Sequence, residues 1–394
     1  MSSSRSWWWS FCLCMAAAFA PACSQPAATP EPDGALPPVT DASVPGSDSA
    51  VPLPPDAANT STCTERIQQA AHAIGAALAE AAEPDAGILT NPDFSVLLET
   101  STGVTFMYSH GASTPNTAYE SASTSKWVSA AVILDLVDQG VLTLDTKAKD
   151  LLPFWTEDQV TLRHLLSFTS GFEEEPLCIN LPNADFESCV KTIFEGNVGK
   201  VVPGSRFHYA STHLQIAGLM AVKAKQAASW TEVFKDFKQR TGLFWKSVYD
   251  LPSATNPRLA GGMHWLGTEY LAFLRALHFG NLLSAGSREQ LFANQLEGIT
   301  VEYSPSWALG EDWSYGLGNW LECPTAKGKG TFDCGAGHRN SSPGAYGAYP
   351  FIDFDHHYFG IVARQGELGT FPEGVQLFRA AQPYVEEWAS LSCE

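Results

Sequence analysis

The chain has 394 residues, of which 45% are apolar and 16% charged, so one large domain or two ordinary ones could each bury a sizeable core. Forty-two acidic residues against 23 basic ones give a formal charge of −19. That balance argues against a nucleic-acid binder, which needs a basic face to meet phosphates, and against adhesion to anionic lipid through charge. Past the N-terminus no apolar run approaches the roughly 18 residues of a membrane span, which excludes a multi-span protein.

Residues 1–23 read as an export signal. Arg5 is the basic residue of the leading segment, and Trp7 to Ala20 forms an apolar, small-residue stretch of the right length. The stretch ends in Ala20-Pro21-Ala22-Cys23, which resembles the lipobox of bacterial lipoproteins and implies lipidation of Cys23; plain cleavage at the same bond is the alternative. Residues 24–62 hold nine prolines, five acidic residues and no Lys or Arg. Such a segment cannot bury enough apolar area to offset its ordering entropy and is predicted to be a disordered tether. The lipid bilayer is then a partner only through this anchor, and the protein sits in the cell envelope or is secreted.

Downstream of Cys23 six cysteines remain, an even number suited to an oxidising compartment, and six allow fifteen pairings. Cys178 and Cys189 are 11 apart, as are Cys323 and Cys334, so both pairs are chosen as loop clips, leaving Cys63 with Cys393 to join the chain ends.

The body spans 63–394. Helical spacing runs from Thr64 to Ala82, and two strand patterns, Phe94–Glu99 and Thr105–Ser109, flank the turn signal Ser101-Thr102-Gly103. A second helix is predicted from Ser123 to a stop at Gly140. Helical patterns dominate about 160–300, strands return near Tyr315–Leu321, Gly344–Phe351 and Tyr358–Arg364, and an amphipathic helix closes the chain over Pro372–Ala389. This order implies an α+β fold: an antiparallel-rich sheet built from both chain ends, flanked by the terminal helices, with an all-helical region inserted.

The sharpest chemical feature is Ser123-Thr124-Ser125-Lys126 at the start of the second predicted helix. Residues three apart share a helix face, so the hydroxyl and the amine can touch. A serine becomes a nucleophile when a neighbouring base takes its proton, and an amine serves once burial or a second cation lowers its pKa. By itself the spacing also fits an N-cap serine beside a solvated lysine. His356-His357 beside Asp353 and Asp355 invites a metal site but falls where a hairpin turn is expected, and no metal or cofactor is implied.

Several stretches, taken in order, resemble the penicillin-recognising serine hydrolases, in particular the class C β-lactamase, D-alanyl-D-alanine carboxypeptidase and family VIII esterase group. They are Ser123 to Ala131, Gly140-Val141-Leu142-Thr143-Leu144-Asp145, Thr161 to Phe172, Pro203 to Ser211, Gly261-Gly262-Met263 and Gly344-Ala345-Tyr346-Gly347, together covering about 65–390. The resemblance implies the β-lactamase/transpeptidase-like fold and acyl transfer through Ser123, with Lys126 as its base partner and Tyr209 as a second acid or base whose phenol the neighbouring lysine acidifies. The backbone amides of Ser123 and Ala345 would hold the oxyanion.

Two motifs depart from the family. Ser211 stands where Asn is usual and offers one short hydroxyl in place of an amide. Ser342-Pro343-Gly344 stands where a Lys or His opens the third motif, on a strand lining the cleft, so the cation that meets a substrate carboxylate is missing. Ser211, Ser342 and Gly344 are the expected substrate contacts, with Arg339 or His338 as a substitute cation or as a solvated pair. A small-molecule ester or amide is the expected substrate, with esterase activity ahead of D-alanyl-D-alanine carboxypeptidase and weak β-lactamase activity. A catalytically inactive wall- or protein-binding module is the rival reading, and a monomer is expected.

Overall fold

A computed structural model describes residues 55–391 apart from 324, 325, 327–331, 333 and 335–338. Cys23, His338 and Cys393 lie outside the described residues, as does the tether up to residue 54.

Seven antiparallel strands form the main sheet, in the order Ser314–Tyr315, Trp320–Leu321, Arg339–Ser341, Tyr349–Asp353, Tyr358–Arg364, Phe94–Thr100 and Thr105–His110. The first strand of the body therefore pairs with the last, Phe94 opposite Arg364 and Thr100 opposite Tyr358. Both strands are buried along their whole length, because helices cover both faces. On one face Gly267 of the helix Gly267–His278 approaches Leu97 and Ala363, and His278 packs on Phe359. On the other, Phe378 of the last helix, Phe371–Ser390, meets Tyr358, and Trp388 meets Phe106. The buried Arg364 donates to Glu373 at 2.7 Å across this second layer, tying the last strand to the last helix. Thr105–His110 is the outer strand; its residues alternate between exposed and half-buried.

The first helix, Pro55–Ala82, packs along the last. It starts earlier than its apolar spacing indicates and takes in the end of the segment expected to be tether. A proline is tolerated in the first helical turn, and the alanines that follow favour helix, so the helix extends past its buried stripe.

The helix Thr124–Asp138 runs through the centre of the molecule and is buried from Thr124 to Leu136, as a helix that is apolar on all sides requires. It ends at Gly140, which takes φ +71°, a left-handed conformation that glycine adopts without a steric cost. Helices Thr212–Lys225 and Ala285–Phe292 pack against it. Helices dominate residues 160–300, but short strands thread among them, notably Arg206–His208 and Met263–Leu266. Disulfides join Cys178 to Cys189 and Cys323 to Cys334, each closing a separation of 11 residues. No described helix is long and apolar enough to cross a membrane.

Candidate active site

Ser123 occupies the N-cap of the central helix, at the end of a turn that its neighbours hold rigidly. Ala122 takes φ +41°, unusual for a residue with a side chain and a local strain of the kind found at functional turns. The Met263 amide donates to the Ser121 hydroxyl at 2.9 Å, the Thr124 hydroxyl donates to the Ser121 carbonyl at 2.9 Å, and Tyr270 donates its hydroxyl to the Thr124 carbonyl at 2.7 Å. A buried polar network this complete fixes where the serine points.

Lys126, one turn along, is 3% exposed. Its Nζ donates to Ser123 Oγ at 2.9 Å and to the Ala260 carbonyl at 2.8 Å. Burial lowers its pKa from the ordinary 10.5 to about 7, the positive field of Arg258 adds to the effect, and Glu175 opposes it. Close to neutrality the amine is therefore about half unprotonated, with its lone pair available beside a hydroxyl.

Tyr209 follows the strand Arg206–His208, which pairs in parallel with Thr300–Tyr303, and its amide donates to the Tyr303 carbonyl at 3.2 Å. Its ring stacks on Trp320 with centroids 5.0 Å apart, and Lys126 Nζ lies 4.7 Å from the ring centroid. Hydroxyl, amine and phenol, 86 residues apart between the first and the last, thus share one crevice. The phenol's acidity runs opposite to the sequence expectation. Burial pushes the Tyr209 pKa well above its ordinary 10, and hydrogen-bonding contact with Ser123 and Trp320 only partly reverses this. Lys126 lies over the ring face, and burial, not the neighbouring amine, sets the acidity of the phenol.

The third wall comes from the turn after the strand Arg339–Ser341. The sequence suggests a strand over Gly344–Phe351, but residues 342–348 lie outside the sheet, between the strands Arg339–Ser341 and Tyr349–Asp353. Pro343 has no N–H for a ladder, and the Gly344 amide donates instead to the Ala348 carbonyl at 2.8 Å. Gly344 packs against the turn that carries Ser123 so closely that a Cβ would lie 2.7 Å from the Ser121 carbonyl. The Ser342 hydroxyl donates to the Ser123 carbonyl at 3.0 Å. Ser342 and Gly344, expected to touch substrate, are thus also packed against the turn that carries Ser123. Among the described residues neither the Ser123 amide nor the Ala345 amide donates to a protein acceptor, and both residues line the cleft.

That cleft encloses about 790 Å³ between Ser123, Tyr209, Ala345 and an aromatic wall containing Trp307 and Trp320. Ser211 caps the helix Thr212–Lys225 at the edge of this space; its amide, not its hydroxyl, is engaged, donating to the Glu175 carboxylate. Arg339 is no substitute cation: it donates to Asp353 at 2.7 Å and to the Tyr358 hydroxyl at 2.7 Å, beneath the last helix. His356 lies in the hairpin turn between the last two strands, its ring nitrogen 3.0 Å from Asp353.

Three contributors escape a reading of motifs. The Ala260 carbonyl, which holds Lys126, belongs to a backbone segment whose only sequence signal is the following Gly261-Gly262. Glu175 lies in an acidic run, Glu173-Glu174-Glu175, indistinguishable there from a solvated loop. The aromatic wall is assembled from residues scattered between 209 and 371.

A buried Ser-x-x-Lys pair beneath an antiparallel sheet with helices on both faces places the chain in the β-lactamase/transpeptidase-like fold class. The family model "Beta-lactamase" matches residues 70–378, and the chain belongs to that family of serine acyl-transferring hydrolases. The curated relative penicillin-binding protein 4 of Amycolatopsis lactamdurans is 30% identical over 193 residues, 47% of each protein, so the match spans about half of that relative's length. A candidate beta-lactamase from Bacteroides dorei DSM 17855 shares the fold with a TM-score of 0.63 and 28% identity over 74% of this chain and 93% of that one. The hydrolase EstCE1, described as having promiscuous acyltransferase activity, superposes with a TM-score of 0.59 at 17% identity over 82% of this chain and 99% of its own.

Proposed function

We propose that this protein is an exported esterase that acylates Ser123. The observation that carries the reading is the buried Lys126 amine, 2.9 Å from Ser123 Oγ with its pKa lowered to about 7. Neutral Lys126 takes the serine proton as Oγ attacks the carbonyl carbon. The oxyanion settles against the amides of Ser123 and Ala345, donors already in place before charge develops. Tyr209, neutral because its pKa is raised, donates its phenolic proton to the leaving oxygen and is reprotonated from the Lys126 ammonium. Water then attacks the acyl-enzyme by the same route in reverse, restoring the Ser123 hydroxyl and releasing the acid.

An ester is favoured over an amide or a peptide terminus on three grounds. Ser211 cannot supply the donor and acceptor pair of an Asn. Pro343 lacks an amide that an extended peptide would need. No Lys or Arg is among the described residues lining the cleft. The second reading, a D-alanyl-D-alanine carboxypeptidase, draws on the penicillin-binding relative. Export with lipidation at Cys23 is part of the proposal and is supported by the leader sequence and by the two disulfides.

Steady-state hydrolysis of p-nitrophenyl butyrate set against a D-Ala-D-Ala peptide separates the readings. Ester turnover that disappears in Ser123→Ala, with kcat/KM far above that for the peptide, is expected. A preference for the peptide would transfer the assignment to the carboxypeptidase, and turnover of neither would leave the binding module.

A further inference from the structure

The cleft has a chemical bias that acyl transfer alone does not require. Its wall carries five large rings, Tyr303, Trp307, Trp313, Trp320 and Phe371. Trp307 donates its indole N–H to Asp312 at 2.8 Å, and Trp313 donates its own to Glu311 at 2.6 Å. Neither carboxylate is a lining residue, so the N–H of each of these two indoles is already engaged by a group that does not line the cleft.

Two carboxylates do line the cleft, Glu173 and Glu175, and they differ. Glu173 is neutralised by Arg206, whose guanidinium donates to its two oxygens at 2.8 and 2.6 Å. Glu175 accepts the Ser211 amide, and among the described residues no Lys, Arg or His forms an ion pair with it. No Lys or Arg among the described lining residues offsets its charge. Aromatic faces present negative quadrupoles, and together with a carboxylate that has no ion-pair partner among the described residues they attract a cation and repel a carboxylate. A quaternary ammonium suits such a wall best, since its methyl groups are weakly hydrated and lose little on leaving water.

We propose that the substrate carries an ammonium group, seated between Glu175 and the aromatic wall, on the same molecule as the ester carbonyl that Ser123 attacks. The proposal rests on the acyl-serine reading of this cleft and adds the substrate class. It also accounts for the missing cation of the third motif: a site selecting a positive substrate has no use for a carboxylate-binding lysine. Glu175 also acts electrostatically on Lys126, so replacing it alters the chemistry for every substrate. The test therefore compares two substrates within each variant.

The pair is p-nitrophenyl butyrate and p-nitrophenyl 4-(trimethylammonio)butyrate, each rate divided by that ester's hydroxide-catalysed rate to remove inductive activation. The corrected kcat/KM ratio should favour the cationic ester by about tenfold in the wild type, fall towards unity in Glu175→Gln, and shrink with added salt. Hydrolysis of the neutral ester with no cationic preference, or a preference that Glu175→Gln leaves intact, overturns the proposal while sparing the hydrolase assignment. If neither ester turns over, the hydrolase reading fails and the cation site is read separately. Tetramethylammonium is then titrated into the Ser123→Ala protein while the fluorescence of the lining tryptophans is followed. A saturable change that Glu175→Gln abolishes supports the site, and no saturable change refutes it.

Discussion

Replacing Lys126 by methionine should destroy activity and stabilise the protein in neutral and acid solution. In the folded state the ammonium form of Lys126 is disfavoured enough to bring its pKa from the ordinary 10.5 to about 7. At about 1.4 kcal/mol per pH unit, carrying that charge costs the native state on the order of 5 kcal/mol below pH 7. A folded pKa below the unfolded value means that the unfolded chain binds the extra proton between pH 7 and 10.5. Stability therefore rises with pH across that window, and the penalty has vanished above it. Methionine has similar bulk and no charge, but it leaves the Ala260 carbonyl without its donor, at a cost of about 1–3 kcal/mol. Urea unfolding at pH 6 should accordingly find Lys126→Met more stable than wild type by about 2–4 kcal/mol. By pH 10.5 that advantage should have vanished or reversed. Groups remote from Lys126 titrate equally in both proteins, so the difference reports Lys126 together with the neighbours that feel its charge, such as Glu175 and His213. A difference that stays flat between pH 6 and 10.5 would show that the lysine is not desolvated and would remove the proposed base.

Wild-type kcat/KM on a neutral ester should fall below an apparent pKa near 7, by about a hundredfold at pH 5, because only neutral Lys126 accepts the serine proton. An acid limb centred below pH 5 would assign the base elsewhere. Tyr209→Phe should keep the fold, since the ring still stacks on Trp320, yet lower kcat by about 10²–10⁴-fold through loss of the proton it donates. Circular dichroism alongside kinetics checks both halves of that statement. Gly344→Ala puts a Cβ against the Ser121 carbonyl and should push the Ala345 amide off the oxyanion, lowering kcat by about 10²-fold with little change in KM. Removing the Cys178–Cys189 bridge with paired serines should lower stability by about 2–3 kcal/mol, measured by denaturant titration, and leave ester kinetics nearly unchanged.

The parts of the molecule that a sequence can announce are those fixed by local periodicity or by short-range chemistry. The hairpin around Gly103, the central helix with its stop at Gly140 and the two disulfides at a separation of 11 are of this kind. So is the pairing of Ser123 with Lys126, because one helical turn brings them together whatever the rest of the fold does. The turn at 342–348 was only partly legible: Pro343 signals that the ladder breaks, but the packing of Gly344 against Ser121 is visible only in the structure. Nor could the sequence give the environment of Tyr209. A lysine neighbour argues for an acidic phenol, whereas burial among Phe168, Tyr315 and Trp320 decides the matter the other way. The roles of Ser342 and Glu175 likewise depend on which of their atoms faces the cleft and which is already engaged.

The central claim is that Ser123 becomes covalently acylated. Intact-protein and peptide mass spectrometry after exposure to a fluorophosphonate probe tests it most directly. One phosphonyl adduct per chain on Ser123, formed faster as pH rises through 7 and absent from folded Ser123→Ala, is the predicted result. Folded wild-type protein that remains unmodified, or an adduct on any other side chain, would contradict the account.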